Sequence, residues 1–160
     1  SSTLRLKSAL NRGGTVEYIY MTNVVADGVQ NVLAADLNWN PSYSYSELPA
    51  EYEGKEVPEH WNVMLQKVEP VEKGYPHFNH VYLANVKATN AKQFISASGW
   101  NDSLTLNDFT LYNLDVEAEK AGIVAHTKKF RLTDIKLKIS DNSQIEFNKN
   151  SQLKKNIRYE

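Results

Sequence analysis

The chain has 160 residues, 41% of them hydrophobic and 23% charged, the balance of an ordinary globular protein long enough for one domain with a real core. With 18 Lys and Arg against 19 Asp and Glu the formal net charge is -1, so no overall basic field exists to hold a nucleic-acid backbone. The absence of cysteine excludes disulfides, thiolate metal sites and a cysteine nucleophile, and no apolar run approaches the length of a membrane span.

The first predicted element is a strand across "LRLK" at residues 4–7. Side chains alternate between the faces of a strand, so Arg5 and Lys7 point one way and Leu4 and Leu6 the other. Two cations at that spacing form either a solvated strand face or one wall of an anion-binding site. A Gly13-Gly14 turn then leads into "TVEYIYMTNV", an alternating apolar segment with the β-branched and aromatic residues that favour strands. The stretch "NVLAADLNW" continues in the same style.

Residues 38–62 lack clear periodicity, and a loop of this length inside a compact domain is usually functional or disordered. It carries Trp39, Tyr43, Tyr45, Tyr52 and Trp61, too many aromatics for a disordered linker. Sugar rings present apolar C–H faces to aromatic rings, and Tyr adds a hydroxyl for their polar edges. Glu47, Glu51, Glu53, Glu56 and Glu59 also lie there and read as solvated loop acids. His77 and His80 are three apart and would face opposite sides of a strand, so they are not expected to share a metal. His60 and His126 have no identifiable partner. Asn101-Asp102 and Asp141-Asn142 read as turns. No metal site, cofactor motif, Ser-His-Asp arrangement or phosphate-binding glycine loop is expected.

A degenerate repeat organises the chain. The pattern apolar-x-apolar-x-[Asn/Asp]-apolar occurs as "IYMTNV" from Ile19, "VYLANV" from Val81, "FTLYNL" from Phe109 and "FRLTDI" from Phe130. A weaker fifth copy, "VMLQKV" from Val63, puts Lys67 in the polar slot. The last three strong copies begin 28 and then 21 residues apart, a repeat length typical of stacked solenoids. The polar slot, filled by Asn23, Asn85, Asn113 and Asp134, suits a corner, because Asn and Asp tolerate left-handed backbone. Stacked Asn side chains can also bond one another from turn to turn. An antiparallel β-sandwich would explain the alternation but not one polar residue recurring at one point of each strand. The predicted fold is therefore all-β, a right-handed parallel β-helix, with Ile19, Met21, Val81, Leu83, Phe109, Leu111, Phe130 and Leu132 inside. Residues 1–160 form a single such domain or a fragment of one, with a long aromatic loop at about 38–62. The segment "LDVEAEKAGIVAH" from Leu114, which offers the best helical pattern, is cut by Gly122 and reads as strand, turn, strand.

The opening residues "RLK" and "NRGGTVEYIYMTNV" resemble the Arg-Ile-Lys motif and the following Arg-Gly-Gly-x-Val-Glu-x-Ile segment of glycoside hydrolase family 28, the polygalacturonases and rhamnogalacturonan hydrolases; Leu6 replaces the usual Ile. "NVLAADLNW", "HFNHVYLANV" and "SGWNDSLTLNDFTLYNLDV" resemble later parts of that family more weakly. The resemblance implies the C-terminal coils of a pectin-lyase-like parallel β-helix. It also implies an acidic pectic polysaccharide as partner, an extracellular or periplasmic location, and a role for Arg5 and Lys7 in binding a sugar-acid carboxylate. Arg can grip a carboxylate with two parallel hydrogen bonds, and Lys adds a point charge. The resemblance also implies a Tyr near the end of the corresponding strand, for which Trp39 or Tyr43 would stand in as a substrate-binding aromatic. The catalytic acids of the family, in Asn-Thr-Asp and Asp-Asp motifs, and its Gly-His-Gly histidine all precede the Arg-x-Lys pair and do not occur here. No catalytic residue is therefore expected in this chain. The expectation is a pectin-degrading hydrolase that lacks its N-terminal part, or alternatively a non-catalytic carbohydrate-binding or structural β-solenoid module.

Overall fold

The computed structural model describes residues 1–44 and 47–160, so Tyr45 of the aromatic segment lies outside the described residues. The molecule is mostly β, 59% strand with one short helix, and its strands form a parallel sheet. The strands are β1 (Ser2–Lys7), β2 (Thr15–Asp27), β3 (Asn31–Asp36), β4 (His77–Ser98), β5 (Leu106–Ile139), β6 (Glu146–Ser151) and β7 (Lys154–Tyr159), and the helix is α1 (Glu59–Met64). Every ladder among the described residues is parallel, which excludes the antiparallel sandwich.

The repeat copies are brought into register. Ile19 lies beside Val81 and Met21 beside Leu83, and these in turn lie beside Phe109 and Leu111. The 34 residues of β5 would span roughly 110 Å if straight, far more than a domain of this size can hold. The strand bends instead, so that its later part returns beside its earlier part: Phe109 and Phe130 stack at 5.6 Å, and Ser140 N–H donates to the Ala118 carbonyl at 3.0 Å. The bends fall at residues with positive φ, among them Asn23, Asn85, Asn113 and Asp134 at 53° to 59°, the polar slot of the repeat. Left-handed backbone costs most residues about 1–2 kcal/mol, and Asn and Asp least. The first three also bond in series: Asn85 Nδ2 donates to Asn23 Oδ1 at 3.2 Å, and Asn113 Nδ2 to Asn85 Oδ1 at 2.8 Å.

Replacing the middle residue tests this ladder. Asn85→Ala loses both bonds and keeps a strained left-handed residue, so it should cost about 2 kcal/mol in urea unfolding. Asn85→Gly removes the bonds without the strain and should cost less. Equal losses in the two variants would show that backbone conformation at the corner does not matter.

Inside the bends a continuous hydrophobic cluster runs from Leu4 to Ile145, with Phe78, Phe94, Phe109 and Phe130 fully buried. Each buried phenyl contributes about 2–3 kcal/mol. Val81, Leu83, Leu111 and Leu132 are buried as the alternation requires, whereas Ile19 and Met21 are only half-buried. The reason is their place: β2 pairs with β4 alone and has strand neighbours on one side only. The weak fifth copy is not a strand. Val63 and Met64 end α1, which Pro58 opens with its fixed φ and Glu59 supports in the first turn, and Val63 is exposed. The segment at 38–62 is accordingly not structureless, since two short 3-10 turns, Pro41–Tyr43 and Ala50–Tyr52, precede α1.

Candidate functional site

Strand β1 sorts its side chains as the alternation demands: Leu4 is buried, Leu6 half-buried, and Arg5 and Lys7 are exposed on one face. Across the ladders Arg5 lies beside Ala34 and Ala34 beside Ser96, while Lys7 lies beside Asp36 and Asp36 beside Ser98. Outward positions next to the cations are thus filled by small residues, which leaves a shallow floor where larger side chains would have closed it.

Trp39 stands over this floor. It follows β3 directly, and two backbone bonds hold the connection to β1: Ser8 N–H to the Asp36 carbonyl at 3.1 Å and Trp39 N–H to the Ser8 carbonyl at 3.2 Å. Lys7 Nζ lies 4.0 Å from the centroid of the Trp39 ring and Arg5 Cζ 5.5 Å from it, so both cations face the indole π-system. Such contacts are worth about 0.5–1 kcal/mol at an exposed site and align both cations on one ring. Tyr43 packs 5.6 Å from Trp39 at a 43° tilt. It is placed by the Pro41–Tyr43 turn, whose Asn40 cap accepts the Ser42 N–H at 3.2 Å. Buried Ser44 anchors the end of the turn by accepting the Leu10 N–H at 2.9 Å and donating to Asn38 Oδ1.

Arg5, Lys7, Ala34, Asp36, Trp39 and Ser96 line a cavity of about 340 Å³. On the other side of Lys7, a second hollow of about 260 Å³ takes in Arg12 and Tyr43 and shares Trp39 as a wall. The structure therefore brings together the four residues singled out from sequence, Arg5, Lys7, Trp39 and Tyr43. It adds Arg12, Ala34, Asp36 and Ser96. Asp36 was detectable in principle, because it lies two positions beyond Ala34 on the outward phase of "NVLAAD"; Ser96 joins only through pairing between β3 and β4. Three cations, Arg5, Lys7 and Arg12, against one carboxylate, Asp36, give the region a local excess of positive charge beside the Trp39 and Tyr43 rings.

The remaining acids stand elsewhere. Glu47, Glu51, Glu53, Glu56 and Glu59 are all exposed, and none lines either hollow beside Lys7. Asn101 accepts the Ser103 and Leu104 N–H groups and Asp141 the Ser143 N–H, each at 2.9 Å, the bonding of turn residues. Asp102 meets His126 Nδ1 at 2.9 Å, a partnership that sequence separation concealed. No group of three or more metal-ligating side chains converges among the described residues. Among the described residues no helix is long and apolar enough to cross a membrane. No family model matches the chain, and no match to it exists among the curated proteins or the solved structures compared.

Proposed function

We propose that this chain is the C-terminal part of a pectin-degrading glycoside hydrolase of the family 28 kind, its parallel strands wound as a right-handed β-helix, and that Arg5 and Lys7 bind a galacturonate carboxylate. The observation that carries this reading is the convergence of Arg5 and Lys7 on the Trp39 ring beside an open floor of small residues. In the proposed complex the guanidinium takes the carboxylate in two parallel bonds, Lys7 adds its charge, and the indole receives the apolar face of the sugar. The parallel ladders, the asparagine corners and the motif residues Gly13, Gly14, Val16, Glu17 and Ile19 behind the Arg-x-Lys pair support the same assignment.

Inverting hydrolysis needs a carboxylic acid and a carboxylate base roughly 6.5–9.5 Å apart across the scissile bond. Asp36 is the one carboxylate among the described residues lining the Arg5–Lys7 cavity, so the role proposed for this cavity is binding. The proposal assigns the catalytic carboxylates to an N-terminal part of the same protein, and an extracellular or periplasmic site of action to the whole. That single carboxylate equally favours a non-catalytic carbohydrate-binding or structural module. Reading the gene upstream of Ser1 separates the two, because only the hydrolase requires Asn-Thr-Asp, Asp-Asp and Gly-His-Gly motifs there.

Binding itself can be measured on the purified chain by calorimetry with an oligogalacturonate and a neutral oligosaccharide of equal length. The acidic chain should bind more tightly, and Arg5→Ala should weaken it about tenfold, with Lys7→Ala somewhat less. The preference should shrink as ionic strength rises, since exposed charges are screened within about 10 Å at 0.1 M salt. Equal affinity for both oligosaccharides, unaffected by Arg5→Ala, would remove the basis of the proposal.

A further inference from the structure

A second outward face, formed by the middle of β2, the start of β4, β5 and β7, carries a pattern unlike a plain solvated surface. In register across it stand Tyr20, Tyr82 and Thr110, then Arg131, whose Nε donates to Thr110 Oγ1 at 3.1 Å, and then Lys154. Parallel neighbours are about 4.8 Å apart, so this column is about 19 Å long. Alongside runs a column of corner residues, all at positive φ: Tyr18, His80, Asp108, Lys129 and Gln152. Tyr18 stacks on His80 at 5.0 Å and 8°, and Tyr20 sits 6.2 Å from Tyr82. Tyr18 and Tyr20 are 61% and 70% exposed, a large aromatic area to leave in water. The face is thus aromatic at one end and basic at the other.

At the basic end Lys129, Arg131 and Lys154 surround a hollow of about 340 Å³ with Asp108 and Gln152. Asp108 does not neutralise the lysines, because both its oxygens are taken. Oδ2 meets His80 Nδ1 at 2.6 Å, and Oδ1 accepts from Arg131 Nη2. Partial burial opposes ionisation of Asp108, but these bonds and the Arg131 charge outweigh it and hold the carboxyl below the usual range. Neither lysine forms an ion pair among the described residues. Arg131 and Lys154 are direct cross-strand partners, and like charges so placed repel. A bound anion relieves that repulsion, and Asp108 and Thr110 already hold the guanidinium in place to meet it.

We propose that this face is a second carbohydrate-binding strip, separate from the Arg5–Lys7 cavity, which takes an acidic oligosaccharide with its acid group at Lys129, Arg131 and Lys154 and its sugar rings along Tyr82, Tyr20 and Tyr18. The Tyr20 and Tyr82 rings are tilted by 47°, an arrangement suited to the edges and C–H faces of pyranose rings. A nucleic acid is disfavoured by the net charge of -1, which provides no extended backbone track.

The test is a two-dimensional amide NMR titration of the full chain with an oligogalacturonate, a sulfated oligosaccharide, inorganic sulfate and a single-stranded oligonucleotide. An acidic oligosaccharide should shift residues of this strip as a set distinct from that of Arg5, Lys7 and Trp39. Lys129→Ala with Lys154→Ala, both at exposed positions, should weaken the strip about tenfold and leave the other set unchanged. Arg5→Ala with Lys7→Ala should do the converse, so the two assignments fail separately. Tyr20→Ala should weaken the oligosaccharide but not sulfate. The proposal is overturned if neither acidic oligosaccharide moves the strip, if sulfate alone binds there as tightly, or if the oligonucleotide binds there more tightly than both.

Discussion

Purified and folded, the chain should release no reducing ends from polygalacturonate above the rate of a blank, even at concentrations that saturate the Arg5–Lys7 cavity. General acid–base catalysis contributes about 10²–10⁴ per positioned group, and a hydrolase of the proposed type needs a proton donor and a base on opposite sides of the bond. Asp36 is the one carboxylate among the described residues lining the Arg5–Lys7 cavity, where it accepts the Asn38 N–H at 2.8 Å. The five loop glutamates are exposed outside the cavity. Reducing-end release that persists through purification and vanishes in Asp36→Asn would show that the catalytic residues are in this chain. Release that vanishes instead in Glu47→Gln or another loop variant would place them in the 47–59 segment. Should the gene encode Asn-Thr-Asp, Asp-Asp and Gly-His-Gly motifs upstream of Ser1, the proposed function expects the longer protein to be active and its activity to fall in Arg5→Ala chiefly through KM if the pair binds ground state and transition state alike.

Gly122→Ala should be the most damaging single substitution to stability. Gly122 has φ of 104°, a conformation that side chains rarely adopt, and it is the direct register partner of Ile95 in the β4–β5 ladder. A Cβ there would lie 1.8 Å from the Ile95 carbonyl oxygen and 2.6 Å from Gln93 Nε2, whose amide donates to the same carbonyl at 3.0 Å. The obstacle is backbone in the middle of a ladder, so relief requires the two strands to part. The expected loss is on the order of 4 kcal/mol or more, a large share of the 5–15 kcal/mol that holds a typical domain folded. Gly28→Ala provides the comparison: φ is 65°, but nothing lies within 4 Å of the added atom, so only the left-handed strain of about 1 kcal/mol is expected. Urea midpoints for the two variants read this difference directly. A Gly122→Ala protein that unfolds within about 1 kcal/mol of the wild type would mean that β4 and β5 are not as close there as the ladder requires.

Local features carried well from sequence to structure where the physics is local. Alternation in "LRLK" placed Leu4 inward and Arg5 and Lys7 outward, because a strand has only two faces. The Asn/Asp slot marked the bends, because left-handed backbone is least costly for those side chains. The same reasoning failed for "VMLQKV". Its apolar alternation is weak and could equally sit in a helix, and Pro58 and Glu59 just upstream favour the helix that forms. It overstated Ile19 and Met21, since alternation sets the direction of a side chain but not whether a second strand covers it.

What the amino-acid sequence determined by itself was the β class, the phase of each strand, the corner residues and a cation pair beside an aromatic segment. Tertiary structure alone decided which residues meet across long separations: Trp39 over Arg5 and Lys7, Ser96 beside Ala34, Asp102 with His126, and the Asp108 triangle with His80 and Arg131. The physical reason is the parallel register. A strand's own dihedrals set its alternation within a few residues, but its lateral neighbour is chosen by the length of chain between passes. That length is 62 positions between Asn23 and Asn85, 28 between Asn85 and Asn113, and 23 between Asp108 and Arg131. The sequence repeat displays the first two intervals but neither the third nor which strands pair across them, so the columns of the two outward faces became visible only once the strands were paired.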